Sequence, residues 1–357
     1  MKFDLFFTCE SAERNPRRAY ADIIAQAVRA EELGFGAVWI AEHHGSTYGM
    51  VPSPAVMLGA IAQRTSRIRL ASGVSVLPFR HPVLTAEEYA MVDVLSGGRL
   101  IFGAGRGYQP QEFNAFGVDP ATSRERFEES IEIIRGLWAN DAFSYNGQHF
   151  QVDNVSVTPR PIQNPVPVWM AASSKESFAY AAQNRIGIIT QPSLRQTVQD
   201  LRANISDAVS AFVAKGTPAA EVDIPVNVIV HIAEKAQTAR EEAEGPLTWH
   251  FDRVRALAPG SDGKPIARGY ESYKSYGDSR SAANGADAVT IDMLNQARVA
   301  LIGDPGDAVE YIRTMQAEIG LEHMTCFMRF GGIDHDAVMR SLELWATEVM
   351  PEFREAA

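Results

Sequence analysis

The strongest constraint on this chain is a rhythm. Short apolar runs alternate with longer stretches in which apolar residues recur at three- and four-residue spacing. Eight such runs occur, at 3–7, 37–41, 68–76, 100–104, 168–172, 186–190, 226–232 and 324–328. Such runs, apolar on both sides rather than alternating, suit strands covered on both faces, as in a parallel sheet with crossover helices. Helical faces follow them. Tyr20, Ile24, Ala27 and Val28 precede Gly34, and Phe127, Ile131, Ile134 and Trp138 form a second face. Val309, Ile312, Met315 and Ile319 form a third, and Val338, Leu342, Trp345 and Val349 a fourth. Asp304-Pro305 reads as N-cap and first helical residue, and Thr122 with Glu125 has capping-box spacing. Eight strand–helix units predict an α/β fold, a single TIM (β/α)8 barrel over 1–357, a length that one barrel accommodates.

Two segments break the rhythm. Residues 143–157, with a turn expected at Asn146-Gly147, read as an inserted hairpin. Residues 245–295 are rich in Gly, Ser, Pro and Tyr with little periodicity, and read as a mobile lid. Against 33 Lys and Arg stand 44 Asp and Glu, a formal charge of −11. No basic stripe exists to neutralise phosphates, which argues against a nucleic-acid partner. Cys9 and Cys326 make no disulfide framework. Asp4 interrupts the first apolar run, and no stretch approaches the length of a membrane span. The expectation is a cytoplasmic protein without a membrane partner.

In such a barrel, chemistry belongs at the C-terminal strand ends. The second strand ends in Glu42, His43 and His44, the third around Gly73 and Val74, and the fourth in Gly105, Arg106 and Gly107. The fifth ends at Ser173 and Ser174, with Ser177 one turn on, the sixth at Gln191 and the seventh near His231. A histidine at a barrel mouth suits general acid–base work. Paired histidines beside a carboxylate also suit a metal, but adjacent strand residues face opposite sides, so no metal is expected. Arg106 between glycines offers a fork to a phosphate, and the serines open a helix whose N–H groups favour an anion. Tyr108, Val228, His231, Trp249, Gln191 and His44 are weaker pocket candidates. No Gly-x-Gly-x-x-Gly fingerprint, P-loop or Gly-x-Ser-x-Gly elbow occurs.

Trp39 to His44 resembles the corresponding strand end of bacterial luciferase and its flavin-dependent monooxygenase relatives. So do Leu77-Pro78 with His81-Pro82, Gly97-Gly98-Arg99 through Phe102-Gly103 to Arg106-Gly107, and Pro167-Val168 into Ser173-Ser174. Arg329 to Gly332 and Val349-Met350-Pro351 complete a collinear set. The resemblance implies a homodimeric barrel using reduced FMN from a separate NAD(P)H-dependent flavin reductase. Dioxygen would add to give a flavin 4a-hydroperoxide that oxygenates a small organic substrate, by analogy an aldehyde or related carbonyl compound. It implies that Arg106, Ser173, Ser174 and Ser177 hold the phosphate, and that Gly73-Val74, joined by a cis peptide, backs the ring. His43 would be the catalytic histidine, and 245–295, with Arg268-Gly269-Tyr270, the lid. Gly105 stands where luciferase has a reactive cysteine and Ser173 where it has an acid, so a non-luminescent enzyme is implied. The same superfamily includes deazaflavin-dependent dehydrogenases and reductases, which remain the alternative, and flavin-binding proteins without catalysis.

Overall fold

A computed structural model describes residues 1–354 except 195, 262, 264, 265, 268, 269 and 271–288. The chain begins with β1 (Lys2–Phe7), α1 (Pro16–Leu33), β2 (Ala37–Ile40), α2 (Pro54–Ala62), β3 (Arg69–Ser72) and β4 (Ser75–Val76). Next come α3 (Pro82–Ser96), β5 (Leu100–Gly105), α4 (Pro110–Phe116), α5 (Ser123–Ala139), β6 (Phe143–Asn146) and β7 (Gln151–Val155). Then follow β8 (Val168–Ala171), α6 (Lys175–Asn184), β9 (Gly187–Ile189), α7 (Val198–Val213), β10 (Val226–Ile232) and α8 (Ala236–Leu257). The chain ends in α9 (Ile291–Gln296), β11 (Ala300–Gly303), α10 (Pro305–Ile319), β12 (His323–Arg329) and α11 (His335–Leu344).

The main sheet is parallel, in the order β11-β10-β12-β1-β2-β3-β5-β8-β9. A parallel bridge from Thr190, just past β9, to Val226 brings the two edges together and curls the sheet into a barrel. β11 is an addition that the eight runs do not include. Asn227 N–H donates to Thr190 and Ile229 N–H to Val299, so β9 and the start of β11 share one edge of β10. The expected third run is also divided. β3 stops at Ser72, the Gly73–Val74 peptide is cis, and β4 resumes against β5. Ser72 spans the break, its hydroxyl donating to the Gly103 carbonyl at 2.7 Å and accepting the Gly103 N–H at 2.9 Å.

Two apolar clusters result. Trp39, Ala71, Ile101 and Ile189 meet Phe6 and Trp169 inside the barrel, and a larger cluster fills the space between sheet and helices. Helix ends follow the sequence where polar caps are free to act. Asn15 accepts the Arg18 N–H and Gly34 ends α1 in the left-handed region; Asp304 and Asp307 form a reciprocal cap on α10. Thr122 caps nothing, because its hydroxyl donates to the Asp119 carbonyl. The 143–157 segment holds the antiparallel pair β6–β7, but its loop is 147–150 rather than a two-residue turn. Glu129 draws that loop wide by accepting the N–H groups of Gln148, His149 and Phe150.

The irregular stretch expected over 245–295 begins as helix. α8 runs on through Pro246, and α9 occupies 291–296; residues 271–288, Arg268 and Gly269 lie outside the described residues. A Gly-Pro pair reads as a helix stop because proline removes a bond to the carbonyl four residues back. Here contacts outweigh that loss. Glu242 meets His231, the Pro246 carbonyl lies against Gly331 beyond β12, and His250 meets Glu10 beyond β1. α8 therefore crosses the C-terminal mouth from β10 to β1.

Candidate active site

His43 stands where β2 leaves the sheet, and it is buried. Its Nδ1 lies 3.1 Å from Glu112 Oε1 and 3.1 Å from the Gln109 amide, both contributed by the segment that follows β5. The same Glu112 oxygen accepts the His44 N–H at 2.9 Å. Glu112 Oε1 and the Gln109 amide nitrogen both face Nδ1, so that nitrogen is committed to the segment that follows β5. None of the hydrogen bonds among the described residues uses His43 Nε2. The arrangement is a buried carboxylate orienting an imidazole whose other nitrogen is available to take up and return a proton.

Neighbouring rings fix this imidazole from two sides. Tyr48 packs at 5.0 Å between centroids and Tyr108 meets it edge-on at 6.1 Å. Gly49 is obligatory for a different reason, since a Cβ there would lie 2.5 Å from the Cβ of His43. His44 faces the other way. Its Nε2 is 3.0 Å from Glu42 Oε1 and its ring packs on Phe116 at 4.6 Å. Glu42 in turn accepts from the Ser75 hydroxyl at 3.2 Å and the Val76 N–H at 3.3 Å, so it organises the turn around the cis bond. The two histidines thus diverge, and among the described residues no group of three His, Cys, Asp or Glu could hold a metal.

A second cluster gathers at the ends of β5 and β8, which pair in register through Ala104 and Met170. Ser174 caps α6, its Oγ accepting the Ser177 N–H at 3.3 Å and lying 3.0 Å from the Ser177 hydroxyl. Ser173, beside it, is exposed. The helix start already favours negative charge, since hydrogen bonds from its own backbone and from Ser174 pull the exposed Glu176 carboxyl down. Arg106 lies over the Tyr270 ring at 5.2 Å, and Tyr270 donates to Ser123 at 2.8 Å. Burial pushes the Glu128 carboxyl up, opposed by the charges of Arg124 and Arg106. The charge of Arg124 is felt at Glu176 as well as at Glu128. Guanidinium groups, hydroxyls and a helix N-terminus at adjacent strand ends make a donor set that fits a phosphate monoester.

The weaker candidates divide. Tyr108 joins the His43 cluster, with the Gln109 amide 3.3 Å from its hydroxyl. Trp249, half-buried on α8, has Arg253 over its ring at 6.0 Å. Val228 is not a pocket residue. It sits in the core between sheet and helices, on the side of β10 opposite Asn227. His231 is fully buried and committed to Glu242 at 2.7 Å; burial pushes its imidazole down against that partner. Gln191 is exposed beyond the β9 end. Sequence reasoning missed Gln109, Glu112, Tyr48, Arg124 and the pair Glu10–His250. Only Gln109 carried a signal, as a polar residue close behind the strand-end glycine turn.

The family model for luciferase-like monooxygenases matches residues 1–323. The chain belongs to the luciferase-like monooxygenase family. It is 29% identical to limonene 1,2-monooxygenase of Rhodococcus erythropolis over 324 residues, 90% of this chain and 79% of that one. It is 33% identical to the oxygenase component of flavin-dependent trigonelline monooxygenase of Acinetobacter baylyi over 197 residues, 54% of each chain. With the F420-dependent glucose-6-phosphate dehydrogenase of Amycolatopsis mediterranei it shares 28% identity over 340 residues, 93% of this chain and 94% of the other. Among solved structures, monooxygenase RslO1 from Streptomyces bottropensis superposes with a TM-score of 0.82 at 28% identity, covering 99% of this chain and all of that one.

Proposed function

We propose that the protein is the oxygenase component of a two-component monooxygenase, taking reduced FMN from a separate NAD(P)H-dependent reductase and oxygenating a small organic substrate with dioxygen. The substrate class we favour is an aldehyde or related carbonyl compound. One observation carries the reading: His43 is oriented through Nδ1 by a buried carboxylate, with Nε2 unspent among the described residues. Similarity to the trigonelline oxygenase component supports both the flavin and the separate reductase.

When bound, reduced flavin with dioxygen supplies the oxygenating equivalent; the rest falls to this chain. Arg106, Arg124, Ser173, Ser174, Ser177 and the α6 N–H groups hold the phosphate. Gly73 and Val74 back the flavin ring. His43 holds or moves a proton at Nε2, while Glu112 stabilises the imidazolium that forms. α8 covers part of the mouth and keeps water from it, which suppresses unproductive loss of the oxidant. The test is stopped-flow mixing of the protein, photoreduced FMN and dioxygen, with candidate carbonyl substrates. Slowed flavin reoxidation with product formation supports the reading; reoxidation as fast as in buffer, with no product, refutes it.

The F420-dependent relative favours a second reading, a deazaflavin-dependent dehydrogenase. Comparative binding of reduced FMN and oxidised deazaflavin separates the two. Assembly as a homodimer is part of the proposal. α2, PAVMLGAIA, carries no polar side chain, yet Val56 on its outer side is 74% exposed. A helix apolar all round belongs in an interior. Leu84, Met91 and Leu95 on the adjoining α3 extend that face. A second copy presenting the same face would cover it symmetrically. Light scattering of Leu84→Asp with Met91→Asp should then report monomers; an unchanged mass would remove this face from the proposal.

A further inference from the structure

We infer that His250 is a positioning residue of the site: paired with Glu10, it fastens the second half of α8 to the barrel and sets Tyr48 against His43. The inference rests on the oxygenase reading for its kinetic arm only.

The geometry repeats that of His43 with different parts. His250 Nδ1 is 2.7 Å from Glu10 Oε1, and Glu10 is fully buried just beyond β1. Glu10 is itself held from several directions. Its carboxylate accepts from the Thr8 hydroxyl at 3.1 Å and from the Gly331 N–H. Its carbonyl accepts from Arg329 at 2.6 Å, and Arg329 faces Asp22 at 3.6 Å. A carboxylate so tied to the ends of β1 and β12 is a fixed anchor. The group it anchors lies on the second half of α8, past the Glu242 and Pro246 contacts. Among the described residues, His250–Glu10 is the only hydrogen bond from 247–257 to a strand end.

The His250 ring continues into the site. It packs on Phe327 at 5.6 Å and Phe251 at 5.0 Å, and on Tyr48 at 5.7 Å. Tyr48 meets His43 on its other side at 5.0 Å. The loop bearing Tyr48 is bound to the same β1 end, Ser11 N–H donating to Thr47 at 3.0 Å and Met50 N–H to Cys9 at 3.2 Å. Displacing His250 therefore loosens one wall of the mouth and removes the ring behind Tyr48. The imidazole acts through packing and a fixed bond, so it touches the reaction only at one remove.

The experiment compares His250→Ala and His250→Asn with the unaltered protein. Asn keeps a donor near the place of Nδ1 but loses the ring. The first readout is hydrogen exchange of the 247–257 peptide, which requires no flavin and no turnover. Loss of a buried charge-assisted bond should speed exchange there roughly tenfold or more in the Ala variant, with β5 and β8 unchanged. Asn should restore most of that protection. The second readout is product formed per reduced flavin consumed, with KM and kcat taken separately. Ala should lower the yield and raise KM; Asn should recover KM but leave the yield low, because the Tyr48 support is still missing. Unchanged exchange in the Ala variant, or equal exchange in Ala and Asn, overturns the anchoring role. Altered exchange with yield and KM untouched overturns the link to the site. Altered exchange in a protein with no oxygenase activity at all sinks the functional reading while leaving the anchor standing.

Discussion

Replacing His323 should alter how stability depends on pH, in a direction that the structure fixes. His323 begins β12 at the end of the barrel remote from the mouth. Its Nε2 is 2.9 Å from Asp4 Oδ2 and its Nδ1 2.9 Å from Asp223 Oδ1. Asp4 also accepts from Trp39 Nε1 at 2.8 Å, and Asp223 from Lys2 at 2.7 Å. Burial alone would push this imidazole down, but the two carboxylates outweigh it and hold it up at about 9. Asp223 feels burial upward and the His323 and Lys2 contacts downward, and rests at about 2. Both shifts describe one ion pair, so only the histidine is counted. Its native value lies above the unfolded one of 6.5, so the native state holds the extra proton between those values. The contribution is complete below about 6.5 and is lost as pH rises through about 9. At about 1.4 kcal/mol per unit, it amounts to about 3 kcal/mol. His323→Gln can serve one carboxylate at a time and cannot change charge. Urea unfolding of both proteins from pH 6 to 10 should show the variant less stable at the acid end. The gap should narrow by about 3 kcal/mol toward pH 10. A gap constant across that range would refute a protonated His323.

Three further outcomes follow from the site if the proposed FMN-dependent oxygenase reading holds. Gly49→Ala should cost most of the activity, because the new Cβ must displace the His43 ring; far-ultraviolet circular dichroism should stay native while turnover falls. Arg106→Ala should weaken FMN binding about tenfold or more, the worth of a charge-assisted bond, and Arg124→Ala less, as fluorescence quenching titrations would measure. His43→Ala should retain FMN binding and thermal stability while losing product formation, the reverse of His323→Gln, so a common assay set on both variants distinguishes a chemical histidine from a structural one.

Sequence and structure agree where local chemistry decides and part where distant contacts do. The eight runs became barrel strands because each is mostly apolar and buried on both sides. β11 escaped notice because it is only Ala300–Gly303 and depends on Asn295, which bonds both the N–H and the carbonyl of Ile302. The start of 245–295 was misjudged because Gly245-Pro246 carries a strong local stop, whereas the contacts holding α8 straight come from β10, β12 and β1. At the site, His43 was legible from its strand-end position. Its partner was not: Glu112 lies 69 residues on, in the first turn of α4, where a glutamate ordinarily needs no reason beyond the helix dipole.

The histidines show what the fold adds to residue type. Each buried imidazole here has a carboxylate, so a carboxylate neighbour alone says nothing about function. What differs is how many nitrogens are spent and whether the remaining one is reachable. His323 spends both, between Asp4 and Asp223, and is a strut. His231 spends Nε2 on Glu242 and leaves Nδ1 sealed without a partner, so no substrate reaches it. His44 spends Nε2 on Glu42 and turns its ring toward Phe116, away from the mouth. His43 spends Nδ1 on Glu112 in the first turn of α4 and His250 on Glu10 just beyond β1, and in neither is Nε2 a sealed orphan. A strand-end motif can nominate an imidazole, but the count of spent nitrogens and the reach of the remaining one are both needed to tell a candidate proton carrier from a strut. That count depends on Glu10, Glu42, Glu112, Asp223 and Glu242, acids whose roles are assigned by the barrel's closure rather than by their own surroundings in the chain.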